Sequence, residues 1–279
     1  MTDSSGDKIA DDTFMVRPDP TNPKLTERVS GVDQNGNPIE TSVTVERPLT
    51  LFLNGREIVT MMTICDYPDY LAVGYLLNQN MIHPDDEVTG IDYDEEIETV
   101  VVRTATETDF EEKLKKKTLT SGCAQGTVFG DVMEKFETVK LNQEAVLKTS
   151  WLYALTKTIN TTPSLYLEAG AIHGCVLCDA DKPLLYMEDV GRHNAVDKVI
   201  GRAFMDGLVP LTDYVLVVSG RVSYEIVAKA ISACVGAIVA VSGPTTLAVD
   251  TARRHDLLLV GFARDDRMNI YSGGQWVNS

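Results

Sequence analysis

The sequence of 279 residues contains no apolar run that approaches the roughly 18 residues of a membrane-spanning helix. Cations are also scarce: 25 Lys and Arg stand against 41 Asp and Glu, which gives a formal net charge of −16. So acidic a chain is ill suited to bind nucleic acid or an anionic membrane over a broad surface, although a local basic pocket is compatible with it. We therefore expect neither a membrane nor a nucleic acid as partner.

A secretory signal and a complete set of zinc ligands are missing too. The first residues, MTDSSGDKIADD, are acidic and polar, and the five cysteines are odd in number, so we expect a cytoplasmic protein with reduced thiols. His173, Cys175 and Cys178 form one C-x-x-C group without a second pair. The group lies in a predicted strand, which would point the two thiols to opposite faces. Structural cysteines are favoured over a zinc site, and no structural metal is expected.

Composition divides the chain into four parts. Asn54-Gly55 lies between two β-rich runs and predicts a hairpin in the second part. The charge run EEKLKKK, residues 111–117, begins the third part. The parts are a flexible tail (1–40), a small α+β domain (41–110), a linker that holds a loop around Cys123 (111–142) and an α/β core domain (143–279).

The core domain alternates apolar strands with amphipathic helices, which predicts a largely parallel sheet. Within it, the stretch 187–202 reads as a strand, a charged turn and a helix. Later strands end in Ser219-Gly220-Arg221, in Ser242-Gly243 and at Gly261. Parallel strands bring such ends to one sheet edge, where Arg221, Arg264 and Arg267 are placed to hold phosphate. The alternative is that these are ordinary helix starts with surface ion pairs. Neither a P-loop nor a G-x-G-x-x-G motif is present.

Cys123 stands in TSGCAQGT, a stretch of small residues without helical or strand periodicity. Such a loop makes a thiol accessible, and the lysines upstream favour the reactive thiolate. The alternative is a partly buried loop cysteine without chemistry.

Several of these segments together resemble the formate dehydrogenase accessory protein family (FdhD), the sulfur carriers of molybdenum-cofactor maturation. The most specific segment is EDVGRHNAVDK, residues 188–198. Four shorter segments occur in the same order: TSGC (120–123), SGR (219–221), SGPT (242–245) and GFAR (261–264), continued by NIY (269–271). The resemblance covers most of the chain from about residue 41.

The resemblance implies a cytidine-deaminase-like α/β core with a smaller N-terminal domain, but no deamination, because the H-x-E and P-C-x-x-C zinc motifs are absent. It implies that Cys123 accepts a persulfide from a cysteine desulfurase. The sulfur would then pass to the molybdenum of a bis-molybdopterin guanine dinucleotide cofactor for formate dehydrogenase, with a homodimer as the plausible assembly.

The cofactor-binding segment of the family matches six consecutive residues here, and we add four others from the strand ends and the charged turn. These ten are Phe262, Ala263, Arg264, Asp265, Asp266, Arg267, Ser219, Gly220, Arg221 and His193. Many family members carry a second loop cysteine, where this chain has Gly126. A non-catalytic cofactor chaperone for formate dehydrogenase is therefore the alternative function.

Overall fold

A computed structural model describes residues 14–105, 141, 147–264 and 267–278. In these residues a small α+β domain precedes a larger α/β core. The small domain has a four-stranded sheet in the order β4-β3-β6-β5, with helix α1 packed on it. Its elements are β3 (Arg47–Leu53), β4 (Arg56–Thr63), α1 (Pro68–Asn78), β5 (Val88–Asp94) and β6 (Thr99–Thr104). Asn54-Gly55 joins β3 to β4 as the predicted hairpin.

The core is built on a six-stranded sheet in the order β13-β12-β11-β10-β8-β9. Helices cover both faces. The strands are β8 (His173–Asp179), β9 (Lys182–Asp189), β10 (Tyr214–Val218), β11 (Ala237–Ala240), β12 (Leu258–Arg264) and β13 (Arg267–Ser272). The helices are α2 (Thr149–Thr161), α3 (Leu165–Ala169), α4 (Arg192–Met205), α5 (Tyr224–Ser232) and α6 (Thr246–Arg254). Two short strands, β7 (Leu147–Lys148) and β14 (Val277–Asn278), pair with each other beside it.

The prediction of a largely parallel sheet is wrong. Strands β10, β11 and β12 are parallel to one another, but β8 is antiparallel to both β9 and β10, and β13 is antiparallel to β12. The reason is that β8–β9 is a hairpin whose turn is too short for a crossover. No helix in the described part of the chain is long and apolar enough to span a membrane.

The expected tail does not extend over residues 26–40, because they enter an antiparallel ribbon of β1 (Thr26–Val32) and β2 (Pro38–Thr44). Its turn is held by Asp33, whose carboxylate accepts the backbone N–H groups of Asn35 and Asn37, and by Gly36 at φ 82°. This Asx-type turn chemistry produces a hairpin although the strands bury few side chains.

Cys175 and Cys178 pack into different apolar clusters of the core. This confirms that strand alternation separates their thiols. Before β8, residues 165–169 form helix α3, and the Ser164 hydroxyl accepts the N–H of Leu167 at its start.

Helices α1 and α4 cross at very short range and join the two domains. A Cβ on Gly74 would overlap the carbonyl oxygen of Asp197, and a Cβ on Gly201 would overlap that of Tyr70. Beside this crossing, the fully buried ammonium of Lys198 pairs with Asp66 of the small domain and, at 2.7 Å, with Asp189 of β9. The two domains therefore share one interior, and any site at their boundary is fixed by both.

Candidate functional site

Four strand ends meet at one edge of the core sheet. Strands β10, β11 and β12 run parallel, and β9 points the same way because β8 is antiparallel to both β9 and β10. The start of β8, at His173, pairs with the end of β9 at Asp189. The predicted gathering of Ser219-Gly220 and Ser242-Gly243 at one edge is thus confirmed, whereas β12 continues past Gly261 to Arg264 and does not end where the sequence predicted.

A cavity of about 390 Å³ opens at this edge, between the core and the small domain. The core contributes the turn after β9 and the first residues of α4, together with side chains of α5. Strand β4 and helix α1 form the opposite wall. The lining includes Met61, Tyr75, Arg192, His193, Glu225 and Lys229.

His193, predicted as a cofactor-binding residue, lies in this cavity and is only 8% exposed. Burial, together with a smaller effect of the Lys229 ammonium, lowers the pKa of its imidazole to about 3. The ring is therefore neutral near pH 7. Among the described residues its Nε2 atom has no hydrogen-bond partner. A buried polar atom without a partner is uncommon in folded proteins, and a ligand is one way to satisfy it.

Arg192 also has two buried side-chain nitrogens without a hydrogen-bond partner among the described residues. Its Nε and Nη2 atoms are buried, and no described residue accepts a hydrogen bond from them. The side chain lies beside Gly220, where a Cβ would stand 3.5 Å from Arg192 Cδ and 3.2 Å from His173 Nδ1. Burial lowers the pKa of His173, and the neighbouring Arg192 guanidinium adds to this shift. The structure thus brings Gly220 and His193 to the same region.

An ion pair closes the bottom of the cavity. Both carboxylate oxygens of Asp197 accept hydrogen bonds of 2.6 Å from the ammonium of Lys229, and Asn78 of α1 donates another. The two charges offset each other, and little net positive charge remains there for an anion.

The described residues of the predicted segment 262–267 line a separate groove of about 370 Å³. Phe262, Arg264 and Arg267 contribute to it together with Met268 and Asn269. Phe262 is 46% exposed, and its ring covers Gly243 so closely that a Cβ there would stand 2.6 Å from the ring. In the sheet order β12 lies two positions from β10 and four from β9, so the groove is about 10–20 Å from the strand ends beside the cavity.

The remaining residues that were predicted to bind the cofactor lie in different environments. Arg221 is exposed at the same edge, whereas the Ala263 side chain is buried in the core. The Ser219 hydroxyl accepts the N–H of Gly174 at 2.9 Å and ties β10 to β8. Cys123, Asp265 and Asp266 lie outside the described residues.

Sequence reasoning missed the wall of the cavity that the small domain supplies. Met61 and Tyr75 lie in an ordinary strand and an ordinary helix, and nothing local distinguishes them from core residues. Arg192 did carry a signal, since it stands beside His193 in the charged turn. Lys229 looked like a routine helix residue, and only its burial against Asp197 shows its position.

The four described cysteines are poorly suited to nucleophilic chemistry. Burial raises the thiol pKa of each: to about 11 for Cys65, and upward also for Cys175, Cys178 and Cys234. Because the thiolate is the reactive form, these thiols are largely inert near neutral pH.

Fold and site together define a two-domain α/β protein with a ligand-sized cavity where its domains meet. Comparison with known proteins makes this more specific. The model of the FdhD/NarQ family matches residues 44–278. The chain therefore belongs to the FdhD/NarQ family, and the resemblance inferred from its motifs is confirmed.

Curated relatives agree with this assignment. A protein of Listeria monocytogenes (strain F2365) named "Sulfur carrier protein FdhD" is 32% identical over 238 residues, which cover 84% of this chain and 91% of the relative. One of the same name from Bacillus subtilis (strain 168) is 31% identical over 241 residues, with 84% and 89% covered. The crystal structure of a putative formate dehydrogenase accessory protein from Desulfotalea psychrophila superposes with a TM-score of 0.72 at 20% identity. It covers 91% of this chain and 99% of that one, and it confirms the fold class, an α/β core with a smaller α+β domain.

Proposed function

We propose that this chain is a sulfur carrier that accepts a persulfide on Cys123 and delivers its sulfur to the molybdenum cofactor of formate dehydrogenase. The observation that carries the proposal is the family match over residues 44–278, whose curated relatives are named sulfur carrier proteins. The donor is a cysteine desulfurase, and the recipient is the bis-molybdopterin guanine dinucleotide cofactor. The carrier works in the cytoplasm as a homodimer.

The loading step needs a single accessible thiolate. The Cys123 thiolate attacks the terminal sulfur of the desulfurase persulfide, a new sulfur–sulfur bond forms on Cys123, and the desulfurase cysteine leaves as a thiolate. Delivery as sulfide would take two electrons: an external thiol would attack the Sγ atom of Cys123, the outer sulfur would leave as sulfide for the molybdenum, and a mixed disulfide would remain on Cys123. The sulfurtransferase activity thus depends on one residue of this chain.

The described cysteines support the choice of Cys123 by elimination. Cys175 and Cys178 are fully buried, and burial raises the thiol pKa of Cys65 and Cys234 as well. Cys123 is the remaining cysteine of the five.

The cofactor is a large polyanion, and the groove at residues 262–269 supports its binding here. Arg264 and Arg267 are exposed there and can hold phosphate oxygens through charge-assisted hydrogen bonds. The exposed ring of Phe262 offers a face on which a flat group can stack. An acidic chain with this local pair of arginines can accept the cofactor without attracting nucleic acid in general.

A second candidate function is a non-catalytic chaperone that binds the cofactor and docks on formate dehydrogenase, with Cys123 incidental. The burial of Cys175 and Cys178 favours it, since this C-x-x-C pair offers no accessible thiol to resolve a persulfide. Gly126, in place of a second loop cysteine, agrees with that reasoning.

Intact-mass measurement separates the two functions. The full chain is incubated with a cysteine desulfurase and cysteine, and its mass is compared before and after a reductant. Wild type and the control Cys234→Ser should each gain one reducible sulfur, which peptide mapping places on Cys123, whereas Cys123→Ser should gain none and should fail to mature formate dehydrogenase. Full maturation by Cys123→Ser would refute the carrier function and leave the chaperone.

A further inference from the structure

We propose that a groove at the outer edge of the small domain docks an extended basic segment of a partner protein, which adds to β5 as a further strand. The groove has a volume of about 570 Å³ and lies between β5, α1 and the end of α4, and we call it the β5 groove. Its lining includes Asp69, Val73, Gly90, Ile91, Phe204 and Met205. This docking role is separate from the sulfur chemistry proposed for Cys123.

The β5 groove lies away from the carboxyl edge of the core sheet. Strand β4, which lines the cavity at that edge, and strand β5 are the two outer strands of the four-stranded sheet, about 15 Å apart. Helix α4 begins at the cavity with Arg192 and ends at the β5 groove with Met205, about 20 Å further along its axis. A segment docked in the β5 groove therefore leaves the cavity accessible.

Strand β5 has one free edge in the described part of the chain. It pairs with β6 in a continuous antiparallel register from Gly90 to Asp94, and no described strand pairs with its other side. Such an edge presents unpaired N–H and C=O groups, which an extended peptide can satisfy as an added strand. A Cβ on Gly90 would meet only Arg103 Nη1, at 3.9 Å, so there is space for a chain to approach the backbone there.

Apolar side chains line the β5 groove beside this edge. Val73 of α1 is fully buried, Ile91 of β5 is half-buried, and Met205 at the end of α4 is 44% exposed. An apolar surface with a polar rim is typical of a protein interaction site. Because side chains alternate along a strand, every second residue of an added segment can contact these apolar groups.

The surface around the β5 groove is strongly acidic. Residues 85–98 contain eight Asp and Glu and no Lys or Arg. In the described part of the chain, the ion pairs that these carboxylates form with Lys or Arg are Lys24–Glu95, Arg47–Glu98 and Arg103–Asp92. The remaining carboxylates attract a basic segment, whereas a second copy of this chain, itself at a net charge of −16, is repelled.

Asp69 determines where one cation of the segment binds. It lies in the first turn of α1 and lines the β5 groove. Burial raises the pKa of its carboxyl; the guanidinium of Arg202 opposes this, but Arg202 forms its ion pair with Asp206, at 2.7 Å. A partly desolvated carboxylate is stabilised by an incoming ammonium or guanidinium. Lys and Arg also carry methylene stems that pack on apolar walls, so the β5 groove favours them over short polar side chains.

Fluorescence anisotropy of labelled peptides, titrated with the full chain, tests the docking. The probe is a short peptide in which valine alternates with lysine, and the control peptide carries glutamate in place of lysine. The lysine peptide should bind about tenfold or more tightly than the glutamate peptide, and it should weaken as salt is raised to about 0.5 M. Equal affinities of the two peptides would refute the charge complementarity and overturn the proposal.

Variants of the chain test the position of the site. Asp69→Asn should weaken the lysine peptide about fivefold, because the removed charge lies in the β5 groove. The matched control Asp181→Asn removes an exposed carboxylate from the β8–β9 turn and should change the affinity less than about twofold. Equal losses in the two variants would mean a general attraction to an acidic chain and would overturn the site. If Asp69→Asn fails to fold, Met205→Lys, on an exposed side chain, should weaken the peptide as strongly by repulsion.

Methylation of peptide amides tests strand addition. Alternate N–H groups of a strand point to opposite edges, so two lysine peptides are made, each methylated on one alternate set. One should lose about tenfold in affinity, while the other should stay within about threefold of the parent, because its methyl groups face away from β5. Equal effects of the two sets would contradict strand addition. Displacement of the parent peptide by spermine at equal charge concentration would mean a simple cation site and would overturn the proposal.

Discussion

Replacing His193 with glutamine should flatten the dependence of stability on pH. The ordinary histidine pKa is 6.5, and burial brings that of folded His193 to about 3. Between these values the unfolded chain binds a proton that the folded chain does not, so the free energy of unfolding falls as the pH is lowered. At about 1.36 kcal/mol per pH unit, the loss between pH 7 and pH 5 is about 2 kcal/mol. Glutamine does not titrate, and the variant should lack this part of the loss.

Urea unfolding at pH 7, 6 and 5 measures the effect as the difference in slope between wild type and variant, so that carboxylates common to both cancel. His83→Gln is the matched control. That side chain is 38% exposed beside Asp86, and its replacement leaves the His193 contribution in place. Equal slopes in wild type and His193→Gln would show that the buried imidazole does not resist protonation, and the reasoning from its burial would fail.

Three further predictions concern buried residues at the domain boundary and in the core sheet. Gly201→Ala should push α1 and α4 apart and lower the free energy of unfolding by about 1–3 kcal/mol in urea titration, whereas Gly55→Ala, with open space at its Cβ, should not. Lys198→Met leaves two buried carboxylates without their counter-ion and should cost about 3–5 kcal/mol by the same assay. Cys175 and Cys178 should resist a thiol reagent in native protein and react in urea, and rapid native labelling of either would contradict their burial.

The parts of the fold that could be predicted are those with local causes. The stretch 187–202 combines an apolar strand with a helical repeat, and the structure has β9 ending at Asp189 and α4 beginning at Arg192. The Asn54-Gly55 hairpin is equally local. Strand direction has no such local cause, because an apolar run has the same pattern whether its neighbour is parallel or antiparallel. Strand β8 is antiparallel to both of its neighbours.

The site was predictable on one side only. Turn residues such as His193 can be recognised in the sequence by the charged residues around them, and strand ends such as Gly220 by their small side chains. The opposite wall comes from residues more than a hundred positions earlier, such as Met61 and Tyr75, which are brought there by the crossing of α1 on α4. Tertiary contacts between such distant segments produce no pattern in the sequence, so this wall could not be predicted from it.

The motif at residues 188–198 illustrates how two explanations of one segment can both hold. Helix caps and ion pairs are one explanation of its charged residues, and ligand binding is the other. Asp189 accepts the N–H of Gly191 and the amide of Asn194, each at 3.0 Å, and pairs with Lys198, so these side chains hold the turn and the domain boundary. Arg192 and His193, in the same turn, keep buried nitrogens without described partners. The residues that hold the turn thereby place Arg192 and His193 in the lining of the cavity, and a rigid support of this kind is what a binding site requires.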